Sequence, residues 1–169
     1  MAEPLVLRQR HPANTTVARA TAEPAAALRL SLSAEERTRL RGLRHSGCGR
    51  PLLLQLPRGE PLQPGEWLLA DDPAAPPVRV EAAEEALLEV RAEGVLELLQ
   101  AAYHLGNRHV ALHLEPGRLL LLDDPVLAAL LRHRGLRVTP CRGPFLPEGG
   151  AYAHAHPHDH GHSDPTTGP

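Results

Sequence analysis

The 169-residue sequence has no lysine and no isoleucine, and all 18 of its basic residues are arginine. Aromatic residues make up only 2% of it, so Leu, Val and Ala must pack any core. The two cysteines, Cys48 and Cys141, are too few for a disulfide scaffold. No apolar run approaches the ~18 residues of a membrane span. The start, MAEPLVLRQRHPAN, lacks a charged region followed by an apolar one, so no secretory leader is expected. A cytoplasmic protein fits these absences. A net charge of -2 with so few aromatics lacks the basic excess and the stacking platforms of a nucleic-acid binder. There is no Gly-rich phosphate loop, no Gly-x-Ser-x-Gly and no His-Glu-x-x-His. The acidic pairs Asp71-Asp72 and Asp123-Asp124 are accounted for by a turn and a helix cap. The chain is not expected to be an enzyme.

What is present is a 42% hydrophobic chain, enough to bury a core. Residues 1–82 are short apolar runs cut by Pro and Gly. Leu5–Arg8, Leu28–Leu32, Pro51–Leu56, Trp67–Ala70 and Val78–Val80 read as strands. Arg37–Arg41 alternates with period two and also reads as a strand, after a helical turn signalled by the capping box Ser33-x-x-Glu36. This predicts a small all-β domain, a sandwich or barrel. Residues 83–150 read as β-α-β-β-α-β, the split βαβ or ferredoxin-like order of an α+β fold. Its parts are strand Ala86–Arg91, a helix carrying Val95, Leu98, Leu99 and Ala102 and stopped by Gly106, and strand His109–Leu114. Strand Arg118–Leu122 follows, then a helix capped by Asp124 with Val126, Leu127, Leu130 and Leu131 on its apolar face and Gly135 at its end, then strand Leu136–Thr139. The apolar side of strand 109–114 should face the helices, leaving His109 and His113 on an open sheet face. Residues 151–169 have little to pack and read as a disordered His-rich tail.

Histidine is the outlying count, with 11 in all. His154, His156, His158, His160 and His162 alternate along the tail, and in an extended chain such residues share one side roughly 6.5–7 Å apart. Several imidazoles can then converge on one ion, and imidazole suits Ni, Cu and Zn. The tail is therefore read as a metal collector that loses its ion on acidification, as protons compete. The residues alone give His104 as a helix-end histidine and His109 and His113 as exposed strand histidines. His45 and Cys48 read as parts of a hairpin turn, and Cys141 as a buried or edge thiol. Arg108 could pair with Glu148.

The string Ala102-Tyr103-His104-Leu105-Gly106-Asn107-Arg108-His109-Val110 strongly resembles the UreE family of urease accessory nickel chaperones. Leu56-Pro57-Arg58-Gly59, Val80-Glu81-Ala82-Ala83-Glu84 and Phe145-Leu146-Pro147-Glu148-Gly149-Gly150-Ala151-Tyr152, running into the His tail, agree with it. The resemblance spans about residues 28–162. It implies an N-terminal β domain similar to the peptide-binding domain of Hsp40 cochaperones and a ferredoxin-like C-terminal domain. It implies a homodimer that gives Ni(II) to the urease apoprotein complex through the urease accessory GTPase. It also implies that His109 of each protomer meets a shared metal at the dimer interface, with tail histidines adding ligands; His104, His113 and Cys48 match no family ligand. Where some members carry further histidines, this chain has Leu119-Leu120-Leu121-Leu122-Asp123-Asp124. Zn(II) and Cu(II) are expected competitors, Cu(II) binding more tightly than Ni(II) by the usual order. Two other readings fit the residues: a general Ni/Zn store, and a peptide-binding chaperone module with an incidental tail.

Overall fold

The computed structural model describes residues 3–14 and 27–149. The N-terminal half holds two sheets. One has the order β1-β5-β4, from Leu5–Leu7 (β1), Arg41–His45 (β4) and Pro51–Gln55 (β5). The other has the order β2-β6-β7-β3, from Gln9–His11 (β2), Leu28–Leu32 (β3), Trp67–Leu69 (β6) and Val78–Ala82 (β7). Period-two patterning decides which side chains go in. Leu30 and Leu32 are buried while Arg29 and Ser31 are exposed, and Leu52 and Leu54 are buried while Gln55 is exposed. Leu7, Leu52 and Leu54 from one sheet join Leu30, Leu32, Leu68, Val78 and Val80 from the other in a single core.

The strand expected over Arg37–Arg41 is not found. Ala34–Arg37 is a short helix, α1, and the strand begins only at Arg41. The Ser33 hydroxyl accepts from Glu36 N and the Glu36 carboxylate accepts from Ser33 N, so the capping box holds a turn that the charge alternation had concealed.

The chain then runs β8 (Glu84–Arg91), α2 (Val95–Gly106), β9 (His113–Glu115), β10 (Arg118–Leu122), α3 (Pro125–His133) and β11 (Arg137–Pro144). The four strands form one sheet of order β11-β8-β10-β9, antiparallel throughout. Leu88, Val90, Leu119 and Leu121 face Ala101 and Leu105 of α2 and Ala128 and Leu131 of α3. Asp124 caps α3, its carboxylate accepting from Val126 N at 2.7 Å and Leu127 N at 3.0 Å.

Two expectations about these helices are corrected. Val95 and Leu99 lie on the exposed side of α2, and Val126 on the exposed side of α3. The small residues Ala101 and Ala128 take the buried positions instead, letting the helices sit close on the sheet. The opposite sheet face is not fully open either. Leu87 and Leu120 point that way by strand alternation and are buried, and Phe145, fully buried, lies beside His113 on β9 with ring centroids 6.4 Å apart.

The two halves are joined by polar contacts. The buried guanidinium of Arg37 donates from Nη2 to the Phe145 carbonyl at 2.5 Å and from Nη1 to the Leu62 carbonyl at 3.4 Å. Ala34 N donates to the Glu85 carboxylate at 2.8 Å. No helix among the described residues is long and apolar enough to cross a membrane.

Candidate metal centre

The strand expected over His109–Leu114 forms only from His113 onward, at His113–Glu115. His109 instead terminates α2. Its backbone N–H donates to the Gly106 carbonyl at 2.9 Å, and Val110 N donates to the Leu105 carbonyl at 3.1 Å. This pair of bonds is a Schellman ending, in which the residue at the first position past the helix turns left-handed. His109 has φ +57, the one positive φ of a non-glycine among the described residues. The end of α3 makes the same pair: Gly135 N to the Arg132 carbonyl at 2.9 Å and Leu136 N to the Leu131 carbonyl at 3.1 Å, with Gly135 at φ +81. Glycine is the usual occupant because it has no Cβ to clash. At the end of α2 the chain places an imidazole there.

The turn projects His109 to the surface, as expected, although by a helix ending and not by strand alternation. No hydrogen bond of the described residues involves its ring, so its nitrogens are free to ligate. Val110, next in sequence, packs back on the helix-facing core with Leu105 and fixes the turn. His104 sits one turn earlier on α2, its ring edge-on to Tyr103 at 5.5 Å, and its carbonyl accepts from Arg108 Nη1 at 3.1 Å. That contact takes up the Arg108 side chain, and no ion pair with Glu148 forms.

His113 is not the solvated residue expected. It is half-buried against Phe145, its Nδ1 accepts from Leu146 N at 3.4 Å, and its Nε2 lies 3.5 Å from the Glu115 carboxylate. The ring is therefore committed to its neighbours. Sequence alternation could place His113 on this face, but nothing local signalled Phe145, 32 positions later, as its cover.

Beyond Glu115, beside His113, lies a charged cluster. The Glu89 carboxylate accepts from Arg91 Nε at 2.7 Å and Arg118 Nη1 at 2.6 Å, and Arg118 also reaches Glu115. The hydrogen bonds from Arg91, then Arg118, hold Glu89 below the usual carboxylate range. In the N-terminal half, His45 and Cys48 lie in the β4–β5 hairpin, as expected, and the Ser46 hydroxyl 3.2 Å from Sγ lowers the Cys48 thiol. Cys141 is a half-buried thiol on the edge strand β11. Among the described residues no three or more His, Cys, Asp or Glu are grouped to hold a metal ion. His154, His156, His158, His160 and His162 lie outside the described residues.

The helix that His109 ends, α2, carries an apolar stripe turned to solvent: Val95, Leu96, Leu99 and Tyr103, the first 77% and the last 67% exposed. These positions fall within one 100° arc of the helix. A helix that is apolar on two faces is buried on both when its partners are in place.

Residues 7–83 match the family model described as "UreE urease accessory protein, N-terminal domain", and residues 85–167 the one described as "UreE urease accessory protein, C-terminal domain". A protein named "Urease accessory protein UreE" from Synechococcus sp. (strain WH7805) is 67% identical over 125 residues, covering 74% of this chain and 71% of the relative. One of the same name from Azotobacter vinelandii is 50% identical over 137 residues, covering 79% and 80% respectively. Another, from Thermosynechococcus vestitus, is 51% identical over 130 residues, covering 77% and 90%.

Proposed function

Because the chain belongs to the UreE family of urease accessory proteins, we propose that it binds Ni(II) and donates it during assembly of the urease active site. The observation that carries this reading is the exposed, unbonded imidazole of His109, held left-handed at the end of α2 where glycine would be the stable choice. A non-glycine residue kept in such a conformation is a frequent mark of a functional position.

The nickel ion is cargo. In this reading His154, His156, His158, His160 and His162 collect it, and His109 from each of two chains holds it on a two-fold axis. An isologous interface makes both copies contribute the same ligand. The exposed stripe Val95, Leu96, Leu99 and Tyr103, which runs along the helix that His109 ends, supports a homodimer interface on that helix. Transfer proceeds by ligand exchange toward the urease accessory GTPase and the urease apoprotein complex, with no covalent step. Zn(II) and Cu(II) compete for the same imidazoles.

The domain division follows the same reading. Residues 1–82 form the β domain, 83–150 a ferredoxin-like metal-binding domain and 151–169 the His-rich tail. The two separate apolar cores and the strand order β11-β8-β10-β9 support it.

Equilibrium dialysis of Ni(II) at neutral pH tests the proposal, on the full chain and on a chain ending at Ala153. The expected result is that truncation removes the weaker sites and leaves one tight ion per two chains, and that His109→Ala abolishes this ion while the dimer persists. Loss of all binding on truncation, or an unchanged tight site in His109→Ala, would overturn the role of His109. Tight binding with no transfer to the urease apoprotein complex would leave a general Ni/Zn store.

A further inference from the structure

The route of the chain between β11 and the tail is unusually constrained. β11 and β9 are the opposite edges of a four-stranded sheet, three strand spacings or ~14 Å apart. β11 ends at Pro144, yet Glu148 N donates to the Leu112 carbonyl at 2.8 Å, beside β9. Four residues reach at most roughly 13–14 Å, so the segment crosses the sheet almost fully extended. Three side-chain contacts hold it there. The Phe145 ring is buried beside His113, the Phe145 carbonyl accepts from Arg37, and Leu146 N donates to His113 Nδ1.

We propose that His113 is a positioning residue, which, with Leu112 and Arg37, pins residues 145–148 to the β9 edge so that the tail starts next to His109. This rests on the nickel-carrier reading above. Leu112 is three residues from His109, and Glu148 is six residues from His154, the first tail imidazole. Six residues reach at most roughly 20–22 Å, enough to cover the short span back to His109. Released from the clamp, the tail would start from Pro144 on the far edge, ten residues before His154. The longer link alone lowers the effective concentration of tail imidazoles at His109 about twofold, and the wider gap lowers it further. His113 does not itself ligate. Its Nδ1 is occupied by Leu146, and its contribution is to fix where the other ligands originate.

The test compares Ni(II) affinity, by competition with a chromophoric chelator, in the full-length chain and in a full-length chain with the five tail histidines replaced by alanine. The ratio of the two affinities is the gain due to the tail. His113→Leu should cut that gain about two- to fivefold while leaving the tail-substituted chain unchanged. His113→Asn, whose side-chain oxygen can take the place of Nδ1 as acceptor, should restore it. Amide exchange in the metal-free protein gives an independent readout, with Leu146 and Glu148 exchanging faster in His113→Leu and not in His113→Asn. A tail gain unmoved by His113→Leu, or an equal loss in the tail-substituted chain, would overturn the positioning role. Absence of Ni(II) binding in the unsubstituted chain would instead overturn the carrier reading, and this role with it.

Discussion

Replacing His109 by glycine should stabilise the metal-free fold while destroying the site for which the residue is proposed. The left-handed conformation costs an L-residue about 1–2 kcal/mol, a clash between Cβ and the following carbonyl that glycine does not have. Glycine loses more chain entropy on folding, which takes back roughly 0.5–1 kcal/mol. The imidazole is exposed and makes no hydrogen bond among the described residues, so its removal sacrifices little packing. The net expectation is a gain of about 0.5–1 kcal/mol for His109→Gly, or ~1–4 °C in Tm for a chain of this length. His109→Ala keeps the Cβ at φ +57 and should gain nothing. The end of α3 supplies the reverse experiment. A Cβ on Gly135 would meet nothing within 4 Å, so the cost of Gly135→Ala, about 1 kcal/mol, comes from φ +81 alone. Urea denaturation of the metal-free protein followed by far-UV circular dichroism measures all three. A His109→Gly protein no more stable than His109→Ala would refute the claim that this turn is strained for function.

Two further outcomes follow from the described contacts. The Glu89 carboxylate is held below the usual range by Arg91 and Arg118, so it contributes stability that is present above its unfolded pKa and is lost as pH falls through the lower folded value. Glu89→Gln should therefore lower stability at pH 7 and flatten its dependence on pH in the acid range below about 4, read from denaturant midpoints across pH. Asp124→Ala removes the acceptor of Val126 N and Leu127 N and should cost about 1 kcal/mol, against only a few tenths for Asp124→Gly, measured by the same unfolding curves.

The string from Ala102 to Val110 carried the family, and local chemistry carried much of the fold. Short apolar runs placed the strands at Leu28–Leu32 and, expected to Leu56, at Pro51–Gln55, and the Asp124-Pro125 pair placed the start of α3. Local signals failed where two of them overlapped. Arg37–Arg41 alternates like a strand, but the Ser33–Glu36 capping box holds its first residue in a helix. They failed again at His109–Leu112, where a strand-like alternation follows directly on a helix whose last carbonyls still needed donors, and the Schellman bonds took the backbone first.

The sequence by itself determined which chemistry the molecule carries: a chain poor in aromatics and rich in imidazole, with its histidines concentrated at one end. Residue type and spacing suffice for that, because ligand chemistry is a property of side chains. Only the tertiary structure decided what each histidine is available for. His109 and His113 are four positions apart, yet one ends a helix with its ring free while the other is committed to Phe145 and Leu146. The physical reason is that a ring's freedom depends on what covers it. The cover of His113 comes from a segment that crosses the sheet from its opposite edge, a contact that no local pattern encodes.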